Sequence, residues 1–398
     1  MDPICNPYSP GAGSPPPELA GRAPLRKAAA IAIERIRQGR SAKSAILVGL
    51  RGVGKTVLLD QIRLDAEDAG IKTVRLETPE DRSLPSILAP ELRSTLLQLS
   101  RVERAKDFAE QGLKALTGFA RSLKVKYADI EVTLDRPGEP GLADNGDLES
   151  DLSALLEQVA YAARSAETAV VLFLDEMQYL REPEFRALIA ALHRCAQRQL
   201  PITLVGAGLP QLRALAAEAK SYAERLFEFP SVGALKEADA RDAIVKPAEQ
   251  EKVHYTEEAV EEILQQTRGY PYFLQEWGKH AWDIASGDVI SLADVKQANI
   301  EAQAALDASF FLVRLDRMTP SGKRYVRAMA ELGEGPHRSG DIAAELKRSV
   351  QSLAPIRSEL IRTGMIWSPA HGDTAFTVPL FDEFLKRIMP EAMGTTPG

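Results

Sequence analysis

Residues 44–56 read SAILVGLRGVGKT, a short apolar run followed by Gly49-Leu50-Arg51-Gly52-Val53-Gly54-Lys55-Thr56. The second part fits the phosphate-loop pattern G-x-x-x-x-G-K-[ST] in full. The apolar run predicts a buried strand over 44–48, and the residues after the loop predict a helix over 56–69. Since strand, glycine-rich loop and helix follow in this order, the sequence predicts a loop whose backbone N–H groups surround a phosphate.

Each residue type in this loop has a chemical reason to be there. The glycines let the backbone turn so that its N–H groups point at the β-phosphate of ATP. Lys55 is predicted to neutralise the β- and γ-phosphates, and the Thr56 hydroxyl to ligate Mg²⁺. The alternative is a glycine-rich turn that ends in Lys-Thr by chance, and the agreement of motif and context disfavours it. ATP and Mg²⁺ are therefore the expected cofactors.

A second apolar strand ends in two carboxylates. Residues 170–174 read VVLFL, and Asp175 and Glu176 follow directly. Asp175 is predicted to hold the Mg²⁺ shell, directly or through water, and Glu176 to orient and polarise the attacking water. The alternative is a strand that simply ends in acidic turn residues, and the intact phosphate loop upstream disfavours it.

The bulk composition restricts the partners and the compartment. The 398 residues carry a formal net charge of -7, so any contact with nucleic acid must come from a local basic patch. The two cysteines, Cys5 and Cys195, are far apart and fit no metal-ligand spacing, which favours a reducing compartment. The N-terminus does not resemble a secretory signal and no apolar run reaches membrane-spanning length. We expect a soluble, cytoplasmic protein with no membrane partner.

The order of predicted elements divides the chain into four parts. Residues 1–20 are rich in Pro, Gly and Ser and predict an extended arm that is not a packed element, or else a disordered tail. The α/β ATPase core is predicted over 21–235, with a parallel sheet whose strands lie at 44–48, 72–76, 170–174, 202–205 and 226–229. A helical lid is predicted over 236–315 and a winged helix-turn-helix domain over 316–398.

The C-terminal part has the element order of a winged helix. Its third helix, predicted over 350–362, is the one that commonly enters the DNA major groove. Base contacts are predicted from Arg348, Gln351, Ser352 and Arg357, and phosphate contacts from Arg338 and Lys347. The domain also carries several acidic residues, so a protein-docking module is the alternative. These acidic residues are Glu331, Glu334, Asp341, Glu345 and Glu359.

Together the two nucleotide motifs resemble those of the AAA+ P-loop ATPases. Within that family the chain looks closest to the initiator-like branch, which includes origin-recognition and archaeal ATPases, and to the related signal-transducing switch ATPases. Three weaker similarities carry this finer resemblance, at residues 19–22 (LAGR), 222–227 (YAERLF) and 269–275 (GYPYFLQ). The resemblance implies an α/β/α fold with a parallel sheet, a helical lid and a winged helix.

The same resemblance implies three further site residues. Arg22 would border the adenine, Arg225 would be an arginine finger, and Pro271 would belong to the lid motif beside the nucleotide. Each has a simpler alternative. Arg22 would only form a local salt bridge, Arg225 would be a structural surface arginine, and Pro271 would only start a helix.

The chain departs from the family pattern at two places. The strand at 202–205 should end in a polar sensor residue, but it is followed by Gly-Ala-Gly, and the next polar side chain is Gln211. The sensor is therefore absent, replaced by Gln211 or replaced by backbone. Lys55 and Asp175 are 120 positions apart, which predicts an insertion around 84–144. Its basic residues form either a contact surface for a partner or DNA, or a solvated helical face, which is the usual role of a run of charges. These are Arg101, Arg104, Lys106, Lys114, Arg121, Lys124 and Lys126.

Three functions remain open from the sequence. The first is an ATPase that assembles on duplex DNA as a homo-oligomer. The second is a largely monomeric switch whose nucleotide state gates a protein partner, and the third is a transposition helper that recruits a protein to DNA. A basic third helix and a functional Arg225 favour the first and third, whereas the absent sensor and the Gly269-Tyr270-Pro271 motif favour the second.

Overall fold

A computed structural model describes residues 1–11, 13–78, 81–123 and 140–390. Its centre is a five-stranded parallel sheet in the order β2-β3-β4-β1-β5. The strands are β1 Ser44–Val48, β2 Lys72–Glu77, β3 Val170–Asp175, β4 Ile202–Gly208 and β5 Phe227–Glu228. This confirms the predicted sheet, and every predicted strand is present with bounds shifted by a few residues.

Helices cover both faces of the sheet, which gives three layers. They are α1 Ala23–Arg37, α2 Lys55–Asp68, α3 Leu84–Leu99, α4 Lys106–Ser122, α5 Leu148–Ser165, α6 Glu182–Gln197, α7 Leu212–Ala219 and α8 Ala223–Leu226. Along β3, Leu172 belongs to the core under α3–α6, while Val171 and Phe173 belong to the core under α1 and α2. Successive strand residues point to opposite faces, so a continuous apolar run is what a sheet covered on both sides needs.

Helix α1 buries Ala29, Ile33 and Ile36 against this core, whereas the Ile31 side chain is 52% exposed. In the segment predicted as an insertion, around 84–144, the described helices α3 and α4 share the core with α5 and β3. Residues 124–134, whose alternating apolar residues are typical of a strand, lie outside the described residues.

The lid consists mainly of helices, with one short pair of parallel strands. Its elements are α9 Glu237–Gln250, β6 His254–Tyr255, α10 Glu257–Thr267, α11 Pro271–Ile284, β7 Val289–Ile290 and α12 Leu292–Leu306. A π-helical turn, Asp307–Phe311, and the short helix α13 Leu312–Asp316 lead out of the lid. We call Asp307–Asp316 the linker, because it connects the lid with the C-terminal domain.

The C-terminal domain has the predicted winged-helix element order. It comprises α14 Pro320–Glu331, β8 His337–Arg338, α15 Ser339–Glu345, α16 Val350–Arg362, β9 Ile366–Trp367, β10 Asp373–Phe376 and α17 Phe381–Ile388. The three strands form an antiparallel sheet in the order β8-β10-β9. Strand β8 and helix α17 are additions to the sequence prediction. Phe384 of α17 stacks on Phe311 of the linker with ring centroids 5.0 Å apart, so the lid and this domain share one hydrophobic core.

The N-terminal arm is packed against the lid, which corrects the prediction of an unpacked segment. Tyr8 is only 3% exposed and its hydroxyl donates to the Ile244 carbonyl of α9. A Cβ at position 278 would lie 2.6 Å from the Tyr8 ring, so Gly278 of α11 leaves the space that the ring fills. No helix among residues 1–11, 13–78, 81–123 and 140–390 is long and apolar enough to cross a membrane.

Candidate nucleotide site

The phosphate loop lies at the carboxyl end of β1 and leads into α2. Gly52 and Gly54 have φ angles of 80° and 82°, a left-handed conformation that glycine adopts without strain. A Cβ at Gly49 would lie 2.0 Å from the Val232 carbonyl oxygen, so only glycine fits there. The backbone therefore requires glycine at all three glycine positions of the loop, Gly49, Gly52 and Gly54.

Lys55 is a buried cation at the start of α2, 8% exposed. Its Nζ donates to the Leu50 carbonyl at 2.8 Å. Burial lowers the pKa of Lys55 to about 8, although the carboxylates of Glu176 and Asp175 oppose the shift. Because desolvation lowers this pKa by more than both carboxylates raise it, a further anion beside the ammonium would stabilise its charged form.

The residues predicted to hold Mg²⁺ are brought together. Asp175 ends β3, and its carboxylate accepts a hydrogen bond from the Thr56 hydroxyl. Burial raises the pKa of Asp175, and the hydrogen bonds from Thr56 and from the Glu176 backbone N–H act against that rise. A hydroxyl and a carboxylate in contact beside a phosphate loop are oxygen ligands of the kind that Mg²⁺ prefers.

Glu176 has a strained backbone and a positioned side chain. Its φ of 52° lies in the left-handed region, which is uncommon for a residue other than glycine. The Gln178 amide N–H donates to the Glu176 carboxylate. The other end of that amide, Oε1, accepts from the Leu209 N–H at 3.1 Å, directly after β4. Gln178 therefore ties Glu176 to the end of the neighbouring strand.

Side chains from the turn after β3 and from α7 explain why β4 ends in glycine. A Cβ at Gly208 would lie 2.4 Å from Leu212 Cδ1 and 2.6 Å from Gln178 Oε1, and one at Gly206 would lie 2.1 Å from the Met177 sulfur. The polar group at this end of β4 thus comes from the loop after β3. Gln211 is the residue preceding α7, and it is not among the residues that line the cavity described next.

A cavity of about 1160 Å³ opens over the phosphate loop. Lys55, Thr56, Asp175 and Glu176 line it together with the remaining loop residues 51–54. Its other walls come from the arm, the lid, the linker and the C-terminal domain, so every part of the chain contributes to it. The contributing segments include residues 9–11 and 13–14, Pro271, Arg314 and Met365.

Arg22 and Pro271 both line this cavity, as the family resemblance implies. Arg22 is buried and its Nη2 donates to the carbonyls of Val53 at 3.1 Å and Gly233 at 2.6 Å. Burial lowers the pKa of Arg22. Pro271 is the first residue of α11, and the N–H of Tyr272 beside it donates to the Gly52 carbonyl at 3.2 Å. The lid therefore contacts the phosphate loop directly.

Arg225 lies apart from this cavity. It is exposed on the four-residue helix α8, and its side chain forms no hydrogen bond or ion pair with any residue in the described ranges. The finger role of Arg225 stays a prediction, because a finger acts on the nucleotide of a neighbouring copy.

The C-terminal domain is docked on the phosphate loop through Arg51. The Arg51 N–H donates to the Thr377 carbonyl at 3.0 Å, and its Nε donates to the Gly364 carbonyl at 3.4 Å. Its Nη2 also donates to the Tyr179 hydroxyl at 3.0 Å, beside Glu176. Sequence reasoning placed Arg51 in the loop but gave no signal for these contacts, since their partners lie 128 to 326 positions away.

The predicted DNA contacts differ in their availability. Arg348, Gln351 and Ser352 are exposed at the start of α16. Arg357 is instead bonded within the domain, because its guanidinium donates to Thr374 at 2.9 Å and to the Ser368 hydroxyl at 2.8 Å. Because these bonds hold the Arg357 guanidinium within the domain, Arg357 is not proposed as a DNA contact.

Comparisons with known proteins agree with this site. Residues 18–205 match the family model of the AAA ATPase domain, and this range includes the phosphate loop and the Asp175-Glu176 pair. Residues 308–385 match a domain of unknown function, DUF8462. The chain is 24% identical over 349 residues to a protein of Methanocaldococcus jannaschii described as an uncharacterised HTH-type transcriptional regulator. The match covers 84% of this chain and 80% of that protein.

The fold is also similar to that of a solved protein, a Walker-type ATPase of Pyrococcus abyssi. The TM-score is 0.56 at 16% sequence identity, and the similarity covers 92% of this chain and 96% of the other. At this identity the likeness concerns the fold alone. It extends over core, lid and C-terminal domain together.

Proposed function

This chain belongs to the AAA+ P-loop ATPases, and from that premise we propose that ATP binding and hydrolysis control how its winged helix engages duplex DNA. The observation that carries the proposal is the contact of Arg51, a phosphate-loop residue, with Gly364 and Thr377 of the C-terminal domain. Any movement of the loop on binding a phosphate is transmitted to that domain through these bonds.

Nucleotide binding is assigned to residues 49–56. The backbone N–H groups of the loop and the N-terminus of α2 attract the phosphates, and Lys55 neutralises their charge. When bound with ATP, Mg²⁺ supplies further neutralisation of the phosphates, and Thr56 and Asp175 are the residues that would hold it.

Hydrolysis is assigned to Glu176 as the group that orients and polarises the attacking water. A carboxylate in this role must be held in one orientation. The hydrogen bond from Gln178, itself fixed to the Leu209 N–H, provides that restraint. Gln178 is therefore a positioning residue. Arg225 is proposed to complete the site of a neighbouring copy in an assembly.

DNA binding is assigned to the exposed start of α16 and the turn before it. Arg348 in that turn and Gln351 in the helix are exposed, and the M. jannaschii relative is described as an HTH-type regulator. A second candidate, a protein-docking winged helix, is favoured by the apolar residues on the same helix. Val350 is 43% exposed, and Ala354 and Pro355 are exposed too.

DNA binding is tested by fluorescence anisotropy of a labelled duplex, titrated with the full chain in ATP and in ADP at two salt concentrations. We expect much tighter binding with ATP than with ADP, because ATP-driven assembly would join several weak sites and raise their effective concentration. Each phosphate contact adds roughly one unit to the slope of log affinity against log salt, so a patch this small gives a shallow slope.

Arg348→Glu should abolish this binding, whereas Arg324→Glu, at an exposed position of α14 outside the proposed patch, should have a much smaller effect. Absence of DNA binding in all four conditions would end the DNA proposal and leave the protein-docking candidate.

A further inference from the structure

Arg314 is a cation of the linker that points into the nucleotide cavity. It lies on α13 and lines the cavity together with Lys55 and Glu176. Its guanidinium carbon sits 3.9 Å from the centroid of the Phe310 ring, and Nη1 donates to the Phe310 carbonyl. These two contacts fix the guanidinium on the π-helical turn.

The ring under Arg314 is itself packed on the phosphate loop. Phe310 stacks on Tyr272 of the lid with centroids 4.8 Å apart and planes 21° apart. A Cβ at Gly52 would lie 3.5 Å from the Tyr272 Cβ and 3.7 Å from the Phe310 ring. We call Tyr272, Phe310 and Arg314 the shelf. It is a layered stack that lies against the loop and ends in a positive charge.

Arg314 has cations as neighbours and no carboxylate as a hydrogen-bond partner. Arg51 and Arg317 line the same cavity, and no ion pair joins Arg314 to any acid in the described ranges. Burial and, after it, the positive charge of Arg51 lower the pKa of Arg314 to about 10, against the opposing attraction of Tyr272 and Glu176. A partly desolvated guanidinium among other cations is stabilised by an anion.

We propose that Arg314 binds the terminal phosphate of a bound nucleoside triphosphate, and that it makes the site distinguish triphosphate from diphosphate. The inference rests on the proposed function, since it needs ATP in this cavity. Lys55 and the loop engage any nucleotide with a β-phosphate. Arg314 lines the cavity from the linker, within electrostatic reach of Glu176, the residue assigned to the water that attacks the terminal phosphate.

This assignment also gives the linker a role. Arg314 belongs to the ten residues between lid and C-terminal domain. A triphosphate would hold that linker against the phosphate loop, and its loss on hydrolysis would release it. The Arg314 side chain alone could make this contact, because the shelf already fixes the direction of its guanidinium.

The test is isothermal titration calorimetry of the full chain with Mg²⁺ and either ADP or a non-hydrolysable ATP analogue. The variants are Arg314→Gln and, as a matched control, Arg324→Gln, an exposed arginine of the C-terminal domain. Arg314→Gln should weaken the ATP analogue on the order of ten- to hundredfold, the usual effect of losing a charged hydrogen bond, and change ADP affinity less than about threefold. Arg324→Gln should leave both unchanged.

Three results would overturn the inference. Equal losses for both nucleotides would show that Arg314 only supports the shelf, and unchanged affinity for both would show that it does not touch nucleotide. If Arg314→Gln lowers the melting temperature, Arg314→Lys, which keeps the charge over Phe310, replaces it. This variant should retain most of the triphosphate affinity, and large, equal losses of both nucleotides there also overturn the inference. Wild-type protein that binds neither nucleotide would instead sink the proposed function itself.

Discussion

Lys55→Ala should remove most of the nucleotide affinity. Lys55 is buried beside the phosphate loop and, within the described residues, its ammonium donates to the Leu50 carbonyl alone, while desolvation lowers its pKa to about 8. Removing one partner of a desolvated charge pair costs roughly 2–5 kcal/mol, which is about thirty- to several-thousand-fold in affinity. Titration calorimetry with ATP and ADP measures the loss, and both nucleotides should suffer alike because both carry the β-phosphate.

The matched control for this variant is Lys27→Ala. Lys27 lies exposed on α1, outside the residues that line the cavity, so its removal changes the net charge by the same amount without touching the site. We expect wild-type affinity there. ATP binding by Lys55→Ala at wild-type strength would mean that the phosphates bind elsewhere.

Glu176→Gln should keep ATP binding and lose hydrolysis. Gln fills the same space but cannot accept a proton from the attacking water. Loss of a positioned general base lowers the rate of hydrolysis on the order of a hundredfold or more. Gln178→Ala should give an intermediate loss, roughly tenfold, because Glu176 keeps its carboxylate but loses the bond that orients it. Phosphate release measured under single-turnover conditions separates these steps from nucleotide exchange.

Glu182→Gln is the control for this pair, since Glu182 is an exposed carboxylate six residues further along, on α6. It should hydrolyse ATP at the wild-type rate. Wild-type turnover in Glu176→Gln would remove Glu176 from the mechanism, and wild-type turnover in Gln178→Ala would remove its positioning role.

Local patterns were sufficient for the sheet and for the centre of the site. The phosphate loop needs consecutive residues of fixed type, and β3 needs an unbroken apolar run before Asp175, so both are visible without knowing any long-range contact. The element order of the C-terminal domain was likewise predictable from helix starts such as Thr319, whose hydroxyl accepts from the Gly322 N–H as a cap should.

The contacts that join the parts of the chain were not predictable in the same way. Arg314 follows no motif, and its place depends on how the π-helical turn packs on Tyr272. Tyr8 sits in a Pro-rich arm whose composition suggests no packing, but Gly278 leaves a space for its ring. Gln178 reaches the end of β4 from the turn that follows β3. In each case the partner is distant in sequence, so no periodicity reports it.

The central claim, that nucleotide at the phosphate loop moves the C-terminal domain, can be measured as a distance. Spin labels at positions 27 and 324, both exposed, would report the separation of core and C-terminal domain by pulsed electron paramagnetic resonance. Only Cys5 needs replacement by serine, because Cys195 is fully buried and burial raises the pKa of its thiol to about 12. Spectra are recorded without nucleotide, with Mg²⁺ and a non-hydrolysable ATP analogue, and with the analogue on a Lys55→Ala background.

We expect the distribution of distances between labels 27 and 324 to change when the analogue binds. In the Lys55→Ala chain it should stay as it is without nucleotide. Identical distributions with and without the analogue, at concentrations where calorimetry shows the site to be filled, would contradict this expectation.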